Sequence, residues 1–73
     1  MKTFDAIGLL CPLPVLTLRK QLKSLAVGER IEMLADDPAA WVDVPHFCAE
    51  NGHTLCETRE NSDGSTSYIV EKR

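Results

Sequence analysis

The sequence lacks the length that an enclosed substrate cavity requires. Its 73 residues can form one domain, 1–73, and a domain of this size buries only about 60% of the surface that its unfolded chain exposes. No room is left for a dinucleotide-binding fold or a second domain, so any chemistry should lie at the surface and involve partners. We therefore expect a carrier in preference to a stand-alone enzyme.

The sequence also lacks a long apolar run and an excess of positive charge. The apolar stretch near the amino terminus is short and is interrupted by Asp5 and Gly8, which argues against a signal peptide and predicts a cytoplasmic protein with no membrane partner. The formal net charge of -3 and the pI near 5.2 provide no overall field for a phosphate backbone, so general binding of nucleic acid is not expected. We expect the free protein to be a monomer.

Cysteine is scarce and odd in number, since it occurs only three times. A chain without an export signal should keep its thiols reduced. Cys48 and Cys56 lie near His46 and His53 in the sequence, but their spacing matches none of the usual zinc patterns. We predict no metal site and no disulfide, with Cys48 in the core and Cys56 either buried or an incidental surface thiol.

Glycine, proline and the spacing of apolar residues predict six elements in the order βαβαββ. In chain order these are a strand over 3–6, a helix that starts at Pro12 and is ended by Gly28, a strand over 30–35, a helix over 39–51 that Asp37 caps and Gly52 closes, and strands over 53–60 and 67–71 around a turn at 61–65. Pro45 should kink or restart the second helix, and Trp41 should be buried or half-buried. Two helices on one face of a four-stranded mixed sheet would form a two-layer α/β sandwich of the α+β class.

Cys11 stands out because it falls where the first predicted helix begins. We predict that it is the N-cap residue and that its sulfur accepts the Leu13 N–H, because Pro12 and Pro14 have no N–H to offer. The positive end of the helix dipole would favour a thiolate, lower the thiol pKa and make Cys11 a nucleophile. The alternative is that Cys11 is only a small cap and that the prolines fix the loop.

Pro14 occupies the position three residues after Cys11. Disulfide oxidoreductases have a second cysteine there, which attacks any sulfur bound to the first. Without that resolving thiol, a sulfur atom added to Cys11 would survive until an acceptor arrives, so sulfur carriage is favoured over disulfide exchange. A thiol-based redox or regulatory module, in which Cys11 forms mixed disulfides or sulfenic acid, stays open as the alternative function.

Motifs along almost the whole chain follow one known pattern. They are Asp5, Gly8, Cys11-Pro12-Leu13-Pro14, Gly28, Asp36-Asp37-Pro38, the segment 43–48 and Gly52. This pattern resembles the TusA/SirA-like family of sulfur carriers, with its TusA members the most similar. The resemblance implies a βαβαββ sandwich in which Cys11 is the active cysteine. It further implies a supporting motif made of Pro12, Leu13, Pro14, Gly8, Asp5 and Asp37.

The same resemblance implies how the cysteine is used. Cys11 would accept sulfane sulfur from a cysteine desulfurase as a covalent persulfide, with no separate cofactor, and pass it to a downstream relay protein, as in the formation of tRNA 2-thiouridine. Leu13 stands where TusA members commonly have glutamate. The partners and the consumer of the sulfur, whether tRNA, molybdenum cofactor or sulfur oxidation, therefore stay open.

Three basic residues should lie on the exposed side of the first helix, namely Arg19, Lys20 and Lys23. In the simplest interpretation they form a solvated face, and Lys23 also suits the negative end of the helix dipole. In the functional alternative they steer an acidic docking surface of a partner toward the thiol.

Overall fold

The computed structural model describes residues 1–73, which form four strands and two helices. In chain order they are β1 (Lys2–Asp5), α1 (Leu13–Lys23), β2 (Arg30–Ala35), α2 (Ala40–Asn51), β3 (Thr54–Glu60) and β4 (Thr66–Glu71). The strands form one sheet in the order β1-β2-β4-β3, in which β1 and β2 are parallel and β4 is antiparallel to both its neighbours. The predicted βαβαββ order and mixed α+β sandwich are confirmed.

The core lies between the helices and the sheet, because each element turns one set of apolar residues inward. Ile31, Met33 and Ala35 alternate along β2 and are all buried, as a strand period of two predicts. The other elements contribute Leu18 and Leu22 from α1, Ala40, Val44, Phe47 and Cys48 from α2, and Tyr68 and Val70 from β4. Full burial of one large aliphatic side chain contributes about 1.5–3 kcal/mol, so these contacts hold both helices on the sheet.

The first helix is shorter at both ends than predicted. It ends at Lys23, and the Ser24 N–H bonds the carbonyl of Gln21 at 3.2 Å. Gly28 lies beyond this end, where its φ of 92° and its N–H bond to the Lys72 carbonyl (2.8 Å) serve the turn into β2. The prediction that Gly28 ends the helix is therefore wrong.

The second helix differs from the prediction at Trp41, and it excludes one of the two outcomes predicted at Pro45, a restart of the helix. Pro45 lies inside α2, which runs without a restart from Ala40 to Asn51. Trp41 is 48% exposed, because the buried stripe of α2 is formed by Ala40, Val44, Phe47 and Cys48 and leaves position 41 outside it. Gly52 closes the helix in the left-handed conformation (φ 74°), as predicted.

The predicted hairpin joins β3 to β4 through a compact turn. The Asn61 N–H bonds the Ser65 carbonyl at 2.8 Å, and the Asp63 Oδ1 accepts both the N–H (2.9 Å) and the hydroxyl (2.6 Å) of Ser65. These two hydrogen bonds hold the pKa of Asp63 below its usual value. The turn places β4 in the centre of the sheet, next to β2.

Candidate functional site

The loop between β1 and α1 carries Cys11, and it begins where β1 leaves the sheet. The Ala6 N–H bonds the Leu34 carbonyl of β2 at 2.7 Å, and the Leu9 N–H then bonds the Ala6 carbonyl at 3.1 Å. Gly8 turns the chain between them with a φ of 87°, a region in which residues with a Cβ are strained. Asp5 supports the same turn, because its Oδ1 accepts the Ile7 N–H at 2.7 Å.

Two acidic residues after β2 fasten this loop to the start of α2. Asp36 Oδ1 accepts the Gly8 N–H at 2.9 Å, and Asp37 Oδ2 accepts the Cys11 N–H. The other oxygen of Asp37 accepts the Ala39 N–H at 3.1 Å. Asp37 thus bonds a backbone N–H just before α2, as a capping residue does, although the helix begins later than predicted and its N-cap is Ala39. The holding role of Asp36 was not predicted.

Cys11 is not the N-cap of α1, which corrects the sequence prediction. The helix begins at Leu13, its N-cap is Pro12, and no side chain bonds the cap. The Leu13 N–H donates to the Leu10 carbonyl at 2.8 Å and so is not available to the sulfur. The Leu13 N–H, which was expected to stabilise a thiolate, therefore forms part of a backbone turn.

The sulfur instead contacts α2. Cys11 Sγ donates to Asp43 Oδ2 at 2.9 Å. The pKa of the Cys11 thiol is raised, first by this hydrogen bond, then by partial desolvation and by the negative charges of Asp43 and Asp37. The predicted lowering of the thiol pKa is therefore wrong in direction, because a bonded carboxylate favours the neutral thiol.

Asp43 is the site residue that sequence reasoning missed. It belongs to the segment 43–48, which was used only for the family resemblance. The spacing of the apolar stripe of α2 could have revealed Asp43 from the sequence. Asp43 precedes the buried Phe47 by one helical turn, so it lies at the rim of the stripe that faces the core.

Cys11 and Asp43 lie in an open cleft of about 260 Å³. The other lining residues are Pro12, Val15, His46, Phe47 and Glu50. His46 Nε2 and Glu50 Oε1 lie 2.8 Å apart on the outer side of α2. Pockets for drug-sized ligands are usually about 300–1,000 Å³, so this open cleft is smaller than such a pocket and leaves the sulfur accessible from the surface.

The supporting motif divides between core and surface. Pro14 is buried and packs inward, whereas Leu13 is 48% exposed and Leu10 is 68% exposed on the two sides of the cysteine. Arg19, Lys20 and Lys23 are exposed on α1, as predicted. Of these, Arg19 and Lys23 line a second and smaller cleft of about 170 Å³ together with Lys72 and His53.

The other two cysteines lie away from the cleft. Cys48 is buried, which confirms its predicted core position, and burial together with the charge of a Cys56 thiolate raises the pKa of Cys48 to about 11. Cys56 is exposed on β3, and all three cysteines are free. No cluster of three or more His, Cys, Asp or Glu side chains is placed to hold a metal ion. Neither helix is long and apolar enough to cross a membrane.

Known proteins are similar to this chain in fold and sequence along nearly its whole length. A family model described as sulfurtransferase TusA matches residues 2–72. A protein of Archaeoglobus fulgidus, named provisionally as a sulfur carrier protein, is 45% identical over 71 residues, which are 97% of this chain and 92% of that protein. The crystal structure of a SirA-like protein of Desulfitobacterium hafniense has a TM-score of 0.86 and 26% sequence identity, and the match covers 97% of this chain and 96% of that one. The family match includes both the Cys11 loop and α2.

Proposed function

Because the chain belongs to the TusA family of sulfurtransferases, we propose that it carries sulfane sulfur as a persulfide on Cys11. The observation that supports this function best is the position of Cys11, an exposed free thiol in an open cleft within the region of the family match. The donor is a cysteine desulfurase and the acceptor is a downstream relay protein, with tRNA 2-thiouridine as the destination of the sulfur. The exchange takes place in the cytoplasm, where thiols stay reduced.

The proposed transfer needs no external oxidant or reductant. Cys11 Sγ forms a bond to the terminal sulfur of the donor persulfide, and the S–S bond of the donor breaks. Its electron pair stays on the donor cysteine sulfur, which takes up the proton that Cys11 loses. The products are a Cys11 persulfide and a donor thiol, so one sulfur atom has moved without a net change in oxidation state.

The geometry of the loop supports carriage by one thiol. The position three residues after Cys11 is the buried Pro14, while Cys48 is in the core and Cys56 is on β3. No second thiol of the same chain lines the cleft to expel the carried sulfur. The redox alternative is less well supported, because the family model and the relative that match this chain are a sulfurtransferase and a sulfur carrier.

Mass spectrometry after incubation with a cysteine desulfurase and cysteine tests the proposal. We expect Cys11 to gain the mass of one sulfur atom and to lose it on treatment with a thiol reductant. This reversal distinguishes a persulfide from a sulfinic acid. The two oxygen atoms of a sulfinic acid add nearly the same mass as one sulfur atom, but simple thiols do not reduce it.

Cys11→Ser should abolish loading and leave the fold intact, because residue 11 is exposed and is not one of the core residues. Cys56→Ser and Cys48→Ala are the matched thiol controls and should still be loaded. Loading that persists in Cys11→Ser, or that disappears in either control, would contradict the assignment. Mixed disulfides or sulfenic acid on Cys11 without sulfur gain would support the redox alternative.

A further inference from the structure

The cleft around Cys11 is acidic and lacks a free cation. Its titratable lining residues besides Cys11 are Asp43, His46 and Glu50, and Asp37 adds a negative charge from the segment before α2. His46 is engaged by Glu50 at 2.8 Å. No lysine or arginine lines this cleft, and the first turn of α1 contributes no acidic or basic side chain.

The contact between Cys11 and Asp43 fixes the position of one proton. A carboxylate can only accept a hydrogen bond, so the 2.9 Å approach of Cys11 Sγ to Asp43 Oδ2 requires the sulfur to donate its own hydrogen. If the thiol ionised, two negative groups would lie side by side next to Asp37, with no cation of this chain between them. The arrangement therefore favours a neutral thiol.

We propose that Asp43 holds Cys11 as a neutral thiol in the free protein, and that a cationic side chain of the sulfur donor releases it by binding the Asp43 carboxylate. The first half rests on the hydrogen bond, and the second half rests on the proposed carrier function. The cation is assigned to the partner because the cleft presents carboxylates and supplies no lysine or arginine of its own. Docking would then convert a poorly reactive thiol into a nucleophile only where sulfur is on offer.

Alkylation of Cys11 by iodoacetamide tests the hold on the thiol without any sulfur chemistry. The Cys56→Ser background leaves Cys11 as the only exposed cysteine, so that the rate can be followed by the mass of the whole protein. Asp43→Asn keeps the size of the side chain and removes its charge. We expect roughly a threefold or greater rise in the alkylation rate at neutral pH, with the inflection of the pH–rate profile moved to lower pH.

Glu50→Gln is the matched control, because it removes one carboxylate from the same cleft but Glu50 makes no contact with the sulfur. It should change the alkylation rate much less than Asp43→Asn. His46→Gln tests whether the imidazole in the cleft produces the inflection, and it should leave the effect of Asp43→Asn on the rate unchanged. Two results would contradict the proposal that Asp43 keeps Cys11 neutral. One is an equal rise in the alkylation rate for Asp43→Asn and Glu50→Gln, and the other is no rise for an Asp43→Asn variant whose circular dichroism is unaltered.

Sulfur loading tests the release step with two donors. With the persulfide of N-acetylcysteine amide, a small donor that carries no cation, Asp43→Asn should load faster by about the factor seen in alkylation. With saturating cysteine desulfurase this advantage should vanish, because the partner has already neutralised Asp43 in the wild-type complex. An undiminished advantage with the desulfurase would overturn the release step.

The two arms separate the inference from the function on which it depends. If the wild-type protein accepts sulfur from neither donor, the carrier function fails, and the release step fails with it. The hold of Asp43 on the thiol is decided by alkylation alone in either case.

Discussion

At the scale of single residues, Asp37 joins the reactive loop to the second helix through both of its carboxylate oxygens. One accepts the Cys11 N–H and the other accepts the Ala39 N–H. Cys11 and Ala39 are distant in sequence. The Asp37 side chain therefore links two segments that the sheet places near each other but does not join. The position of the sulfur beside Asp43 depends on this link.

Asp37→Asn should weaken that link, because an amide has one acceptor oxygen in place of two. We expect the free energy of unfolding to fall by about 1 kcal/mol, the usual net contribution of one hydrogen bond, and the Cys11 amide to exchange its hydrogen faster. Urea titration and hydrogen exchange measure the two effects. Glu60→Gln removes the same charge at the end of β3 and is the control, and unchanged exchange at Cys11 would contradict the role of Asp37.

Cys48 predicts a pH dependence of stability. The folded protein raises the pKa of Cys48 from an ordinary 9.0 to about 11, so the unfolded chain releases this proton at lower pH than the folded one. The stability that the neutral thiol contributes is complete below pH 9 and is lost as the pH rises toward 11.

Urea titrations between pH 9 and pH 11 should therefore show a steeper loss of stability in the wild type than in Cys48→Ala. At neutral pH that variant should lose about 1 kcal/mol, as expected for one small buried group. Tyr68, whose pKa burial also raises, is common to both proteins and cancels in the comparison. Parallel pH profiles would show that the thiol of Cys48 is not desolvated as its burial implies.

At the scale of elements, α2 contains a proline that the helix tolerates. Pro45 is exposed and has no N–H to donate to the Trp41 carbonyl one turn earlier. Helix-interior prolines are unfavourable by about 3 kcal/mol relative to alanine, although proline also restricts the unfolded chain.

Pro45→Ala should raise the free energy of unfolding by about 1 kcal/mol or more, because it restores one backbone hydrogen bond of α2. Urea titration measures the change. Pro38→Ala is the control, since Pro38 lies before the helix, and it should not stabilise the protein. A Pro45→Ala variant no more stable than the wild type would show that the missing bond is compensated within the folded helix.

The elements also show where sequence reasoning reaches its limit. Apolar spacing and the turn at 61–65 predicted all six elements, because each depends on neighbouring residues. The cap of α1 and the ionisation of Cys11 were predicted from the first helix alone. In the structure, other contacts determine the cap and the ionisation. The Leu13 N–H donates to the Leu10 carbonyl, and the Cys11 thiol donates a hydrogen bond to the Asp43 carboxylate of α2.

At the scale of the whole molecule, the charge is unevenly distributed. The net charge is negative, yet Arg19, Lys20 and Lys23 are exposed together on α1, and two of them share a cleft with Lys72. An uneven field of this kind affects association rates more than folding. A solvated face and a face that guides a partner differ in what they predict for the rate of association.

The combined variant Arg19→Glu and Lys23→Glu tests the docking interpretation. We expect sulfur loading by a cysteine desulfurase to slow severalfold and to lose its dependence on salt, whereas loading by a small persulfide should not change. Lys2→Glu with Arg59→Glu reverses as many charges on the edge strands β1 and β3 but leaves α1 and the second cleft intact, and it should slow loading less. If loading by the desulfurase is unaffected by the first pair, the basic residues are a solvated face.

The central place of β4 in the sheet has a consequence for synthesis of the chain. Residues 66–71 pair with both β2 and β3, and a ribosome delivers them after every other element has emerged. Until then β2 has an open edge, β3 has no partner strand, and Ile31 and Met33 lack the β4 residues that later pair beside them. The four-stranded sheet can therefore be completed only after translation has passed β4, so this strand order postpones folding of the whole domain until its last strand has emerged.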